Sequence, residues 1–101
     1  MTENINYQFQ NLCKNKNLEE IKQFYFNNPT IDISAKNEYA FRFACYYGYL
    51  TLAKWLLKVK PNINISAKND FAFRVSCENK HLDIAKWLLE VKLDINISAD
   101  N

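Results

Sequence analysis

The stretch ISAKNEYAFRFAC occupies residues 33–45, and ISAKNDFAFRVSC occupies residues 65–77, so the chain writes nearly the same segment twice. The repetition extends outward in both directions. An offset of 32 residues superposes Cys13 on Cys45 and Cys77, Phe9 on Phe41 and Phe73, and Leu18 on Leu50 and Leu82. Residues 33–64 and 65–96 are identical at 19 of 32 positions without a gap. Residues 1–32 form a more divergent first copy that keeps Tyr7, Pro29 and Ile31 in register, and residues 97–101 read as the start of a further hairpin. A fixed period of this length marks a stack of small units, each of which buries its apolar face only against its neighbours. The whole chain, residues 1–101, is therefore expected to be one repeat domain.

Each copy reads as two short helices and a connection. From Glu38, the apolar Ala40, Phe41, Ala44 and Cys45 fall at helical spacing, and Asn37 suits a bend because Asn tolerates left-handed backbone. The helix should end near Gly48. A second helix over Leu50–Val59 leaves only Thr51, Lys54 and Lys58 polar, so a narrow stripe meets water and the rest packs. Pro61 then stops it, and the β-branched INISAKN segment suggests an extended hairpin into the next copy.

Composition narrows the class further. A chain of 101 residues, about half hydrophobic and a quarter charged, is one small globular domain rather than a disordered one. The polar opening shows no signal peptide, and the longest uncharged run, Phe43 to Ala53, is far short of the roughly 20 residues of a membrane span. No membrane contact and an intracellular, cytoplasmic location are expected, in which case the sequons at Asn64 and Asn96 stay unmodified.

Catalytic and metal chemistry lack the residues they need. The three cysteines occupy one repeat position, so stacking would hold them about 8–10 Å apart, beyond disulfide or shared-ligand reach, and they read as small buried core residues. His81 is the one histidine and reads as a turn residue, and a single glycine allows no phosphate-cradling loop. Neither a catalytic site, a metal site nor a cofactor is expected. Trp55 and Trp87 share a helical position and read as core.

The residues resemble the ankyrin repeat, a helix-turn-helix unit with a β-hairpin of about 33 residues. Gly48-Tyr49-Leu50 is similar to the family's Gly-His-Leu turn, AKWLL at 53–57 and 85–89 to its second helix, and Asn62-Ile63-Asn64 and Asp94-Ile95-Asn96 to its Asp-Val-Asn exit. YAFR at 39–42 and FAFR at 71–74 replace the family's Thr-Pro-Leu-His, and Lys16 and Lys80 replace its turn glycine. AKWLL with ISAKN and YAFR, in a chain rich in Asn, Lys and Ile, is most similar to the ankyrin arrays of giant DNA viruses of amoebae. The resemblance implies an α-solenoid of three helix-turn-helix repeats, over about 1–32, 33–64 and 65–96, joined by hairpin-like loops. It also implies no enzymatic activity, and a scaffold role in which another protein binds across the hairpin tips and the concave face of the first helices.

On that face lie Lys36, Glu38, Arg42, Tyr46, Tyr47, Lys68, Asp70, Arg74 and Glu78. Glu38 precedes Arg42 by four residues and Asp70 precedes Arg74 by four, a spacing that favours an ion pair along a helix. The three copies carry net charges of −1, +4 and 0, and the basic middle copy also holds Tyr46, Tyr47 and Tyr49. Tyr and Arg are favoured interface anchors, so binding should centre there. Nucleic acid held by the same basic copy is the alternative, for which a net charge of +2 is weak support. Leu82, Ile84, Trp87, Leu88 and Val91 of the third copy would stand uncovered and promote self-association, whereas Gln23 in place of tryptophan makes the first copy a polar cap.

Overall fold

The computed structural model describes residues 4–99. It contains six helices: α1 (Ile5–Cys13), α2 (Leu18–Asn27), α3 (Ala35–Tyr47), α4 (Leu50–Val59), α5 (Ala67–Glu78) and α6 (Leu82–Ala99). They pair as α1/α2, α3/α4 and α5/α6, the helix-turn-helix of each copy, and α3 packs between α1 and α5. The result is an elongated stack of 45 × 32 × 23 Å, the all-helical repeat solenoid that the 32-residue period predicts.

Asn4 and Asn17 start α1 and α2 by accepting backbone N–H groups of the first turn, Asn6 and Tyr7 in one case and Glu20 in the other. Gly48 ends α3 in left-handed conformation (φ +79°), with the Tyr49 N–H bonded back to the Ala44 carbonyl at 2.8 Å. The third copy repeats this device with Lys80 at φ +63° and the His81 N–H on the Ser76 carbonyl at 2.7 Å.

The connections differ from the expected extended hairpins, because no strand forms among the described residues. Asp32 and Asn64 instead fold their side chains onto the N–H of Ser34 and Ser66, at 3.0 and 3.1 Å, which makes a tight turn where a ladder would have run. Ile31, Ile33 and Ile63 on either side of these turns are buried. A second turn follows in which three consecutive residues are left-handed: Lys36, Asn37 and Glu38, and again Lys68, Asn69 and Asp70. The right-handed part of α3 thus begins at Tyr39 and that of α5 at Phe71.

The third copy departs once more. Leu93 stands where Pro61 ends α4, so α6 runs on to Ala99, and positions 97–99 are helical rather than the opening of a hairpin; positions 100 and 101 lie outside the described residues.

The core is built from the same positions in successive copies. Phe9 and Phe41 are both fully buried, as are Cys13 and Cys45. The second-helix tryptophans reach back onto the preceding copy: Trp55 packs edge-on against Tyr25 at 5.6 Å and near Phe9, and Trp87 lies 6.1 Å from Phe41. In the first copy Gln23, at the tryptophan position, and Glu20, where the other copies have Leu52 and Ile84, are exposed.

Candidate functional site

One stripe of α3 is rich in aromatic side chains that are not buried. The core side of the helix is Ala40, Phe41, Ala44 and Cys45. The adjacent side, Tyr39, Arg42, Phe43, Tyr46 and Tyr47, repeats at i, i+3, i+4, i+7 and i+8 and forms one wall of an open cleft of about 480 Å³. Tyr49 closes it at the helix end, Phe71 faces it from α5, and Lys14 overhangs it from the end of α1. Phe43 and Tyr47 sit 4.5 Å apart between ring centres, Tyr46 and Tyr47 4.8 Å, and Tyr46 lies almost parallel to Phe71 at 6.4 Å. Tyr46 and Tyr47 nevertheless remain 41% and 50% exposed, so a partner has apolar surface left to cover.

Cations rest on these rings. The Lys14 ammonium is 5.8 Å from the centre of Phe43, the Lys16 ammonium 4.6 Å from Tyr49, and the Arg42 guanidinium 5.2 Å from Phe71 and 5.8 Å from Tyr39. Arg42 is held there by the left-handed turn: its Nε donates to the Asn37 carbonyl at 2.8 Å and its Nη2 to the Lys36 carbonyl at 3.2 Å. Arg74 makes the same pair of bonds to Asn69 and Lys68.

The structure brings together only part of the face expected from sequence. Arg42, Tyr46 and Tyr47 meet in the cleft, Lys36 and Lys68 are exposed on the left-handed turns, and Arg74 and Glu78 are exposed on α5. Neither expected pair, Glu38 with Arg42 or Asp70 with Arg74, is an ion pair: helical i,i+4 geometry presumes a right-handed turn, and Glu38 and Asp70 sit in left-handed backbone. Glu38 is buried rather than presented to a partner, and its Oε2 accepts the Asn64 N–H at 2.9 Å. Asn6 accepts the Asp32 N–H at 2.7 Å from the same repeat position, so this side chain clamps the exit turn of its own copy. In the third copy Asp70 instead meets Lys92 of α6 at 3.1 Å, and hydrogen bonding by Ser66 and then by Lys92 holds its carboxyl below the usual range.

Phe43, Tyr39, Phe71 and Lys14 were not singled out by sequence reasoning, whereas Tyr49 was named with Tyr46 and Tyr47. The signal was present: Tyr39, Phe43 and Tyr47 are spaced by four, and Phe71 is Tyr39 moved on by one repeat.

The remaining candidates are structural. His81 packs its ring against Gly48. Cys13 and Cys45 are free and buried, which pushes each thiol up to about 12, but Cys77 is exposed, contrary to expectation, because nothing among the described residues stacks beyond α5 and α6. Among the described residues no group of three or more His, Cys, Asp or Glu side chains could hold a metal ion, and no helix is long and apolar enough to cross a membrane.

The family model for ankyrin repeats, in three copies, matches residues 9–99. Comparisons with curated proteins and with solved structures give no match.

Proposed function

Since the chain belongs to the ankyrin repeat family, whose members are generally protein–protein interaction modules, we propose that it binds a partner protein through the α3 cleft and the exposed left-handed turns beside it. The observation that carries this reading is the half-exposed Tyr46 and Tyr47 on a packed aromatic base, in the most basic of the copies. Interfaces concentrate their energy in such Tyr and Arg anchors. A role as a non-catalytic scaffold inside the cell, in the cytoplasm, goes with it, and three free cysteines suit a reducing compartment. Kinship with the ankyrin arrays of giant DNA viruses of amoebae, which would place it in host cytoplasm, rests on the AKWLL, ISAKN and YAFR segments alone.

Nucleic acid is the lesser alternative. Rings beside cations are also what single strands stack on, but Glu78 follows Tyr46 at the same position of the next copy and Asp83 lies beside Tyr49, which interrupts a basic stripe. Capture of partners from the source cell, identified by mass spectrometry, supplies the ligand for an alanine series. Tyr46→Ala and Tyr47→Ala are expected to weaken binding by about 1–2 kcal/mol or more each, and Glu78→Ala and Lys54→Ala by less than half of that. Equal losses across the four variants would move the interface off the cleft.

A further inference from the structure

The cleft is selective in its charge. Of its lining residues only Lys14 and Arg42 are charged, and no carboxylate is among them. Arg42 commits Nε and Nη2 to the turn carbonyls, which fixes the guanidinium between Tyr39 and Phe71. The phenol groups of Tyr39, Tyr46, Tyr47 and Tyr49 add hydroxyl donors around an apolar floor. A volume of about 480 Å³ falls within the range of roughly 300–1,000 Å³ in which compact ligands are held. Charge also changes along the face, because Lys14, Tyr46 and Glu78 share one repeat position. A ligand lying across the three copies therefore meets a cation on the side of the first copy and an anion on the side of the third.

We propose that the α3 cleft takes an acidic peptide segment bearing a tryptophan, phenylalanine or leucine, a proposal that rests on the protein-binding reading above. The apolar side chain packs on Phe43, Tyr46 and Tyr47, and the carboxylates of the segment face Lys14 and Arg42. Two cations beside an aromatic floor, Lys14 over Phe43 and Arg42 against Phe71, suit a few carboxylates, whereas a nucleic-acid backbone places a charge at every nucleotide and would meet Glu78. Complementary charge supplies the orientation and the association rate, and the ring contact supplies the residence time.

A random twelve-residue peptide library displayed on phage, selected against the full chain, tests this. Enriched peptides are expected to carry net negative charge and a Trp, Phe or Leu. A synthetic peptide of the consensus should lose at least tenfold in affinity for Tyr47→Ser, and as much when its acids are changed to amides. Selection on Lys14→Glu should return less acidic peptides. Both substitutions are at exposed positions, and circular dichroism of each variant confirms that the helices remain. Neutral or basic peptides whose binding still depends on Tyr47 would overturn the acidic partner and leave the protein-binding reading intact. Failure to enrich any Tyr47-dependent peptide overturns the proposal, and if single-stranded oligouridylate binds there instead, the protein-binding reading falls with it.

Discussion

Gly48 and His81 show how much a single atom can decide in this stack. Lys16, Gly48 and Lys80 occupy one repeat position and are all left-handed, at φ +59°, +79° and +63°. An L side chain there costs about 1–2 kcal/mol, which glycine avoids. At Gly48 there is a second constraint, since a Cβ would lie 2.7 Å from both Cε1 and Nδ1 of His81. Gly48→Ala is therefore expected to destabilise the protein by about 2 kcal/mol or more, from the backbone strain together with the overlap. Lys80→Gly should do the reverse and add about 0.5–1 kcal/mol, the relieved strain being partly offset by a freer unfolded chain. Urea unfolding of both variants measures this. Placing Gly48→Ala in a His81→Ala background separates the terms: the overlap disappears there, and only the backbone share of the loss should remain.

At the level of elements, the same four letters show why the sequence was partly legible. INIS at 63–66 is a turn, and INIS at 95–98 is helical. The four letters themselves do not distinguish the two; just upstream, Pro61-Asn62 becomes Leu93-Asp94, and only the proline stops the second helix. The second helix of the middle copy was fully readable because Thr51, Lys54 and Lys58 leave one polar stripe and Pro61 marks its end. The cleft was half readable, since Arg42, Tyr46 and Tyr47 stood out by type, while Phe43 and Phe71 did not. The carboxylates were misread because three left-handed residues in a row leave no trace in sequence beyond Asn37 and Asn69, and that run turns Glu38 inward. Asp70 is the measurable consequence. Ser66 and Lys92, with Arg74 nearby, lower its pKa, so the contribution of the α5–α6 link is full above the ordinary aspartate value of about 3.9 and is lost as pH falls through the depressed folded value. Wild type should lose more of its urea midpoint than Asp70→Asn does on going from pH 6 to pH 3. If the two midpoints fall in parallel, the Asp70–Lys92 contact contributes no stability.

Over the whole molecule, the stack has a direction, and the direction corrects which surface is left open. Of the residues expected to stand uncovered, Leu82 is exposed, but Ile84 and Leu88 are buried, and Trp87 packs back on Phe41 of the middle copy. The tryptophan side of each second helix thus faces the preceding copy. The side that faces forward is the one through which Phe9, Cys13 and Tyr25 are covered by the middle copy, and its third-copy equivalents are Phe73, Cys77 and Leu89. Leu89 is 50% exposed and Cys77 is open, where Cys13 and Cys45 have no accessible surface. Two copies of the chain meeting through this side would bury it, and such self-association is expected at high concentration. Thiol labelling reads it directly. With N-ethylmaleimide near neutral pH, Cys77 should react in the dilute protein while Cys13 and Cys45, buried and with thiols pushed up to about 12, react only on unfolding. As concentration rises a hundredfold, labelling of Cys77 should slow in step with the mass increase seen by sedimentation equilibrium. Leu89→Lys should abolish both changes, because a charge placed in the contact must be desolvated for two chains to meet. A mass increase that leaves Cys77 fully reactive would locate the contact elsewhere, and the exposed Phe26 of the first copy would be the next surface to alter.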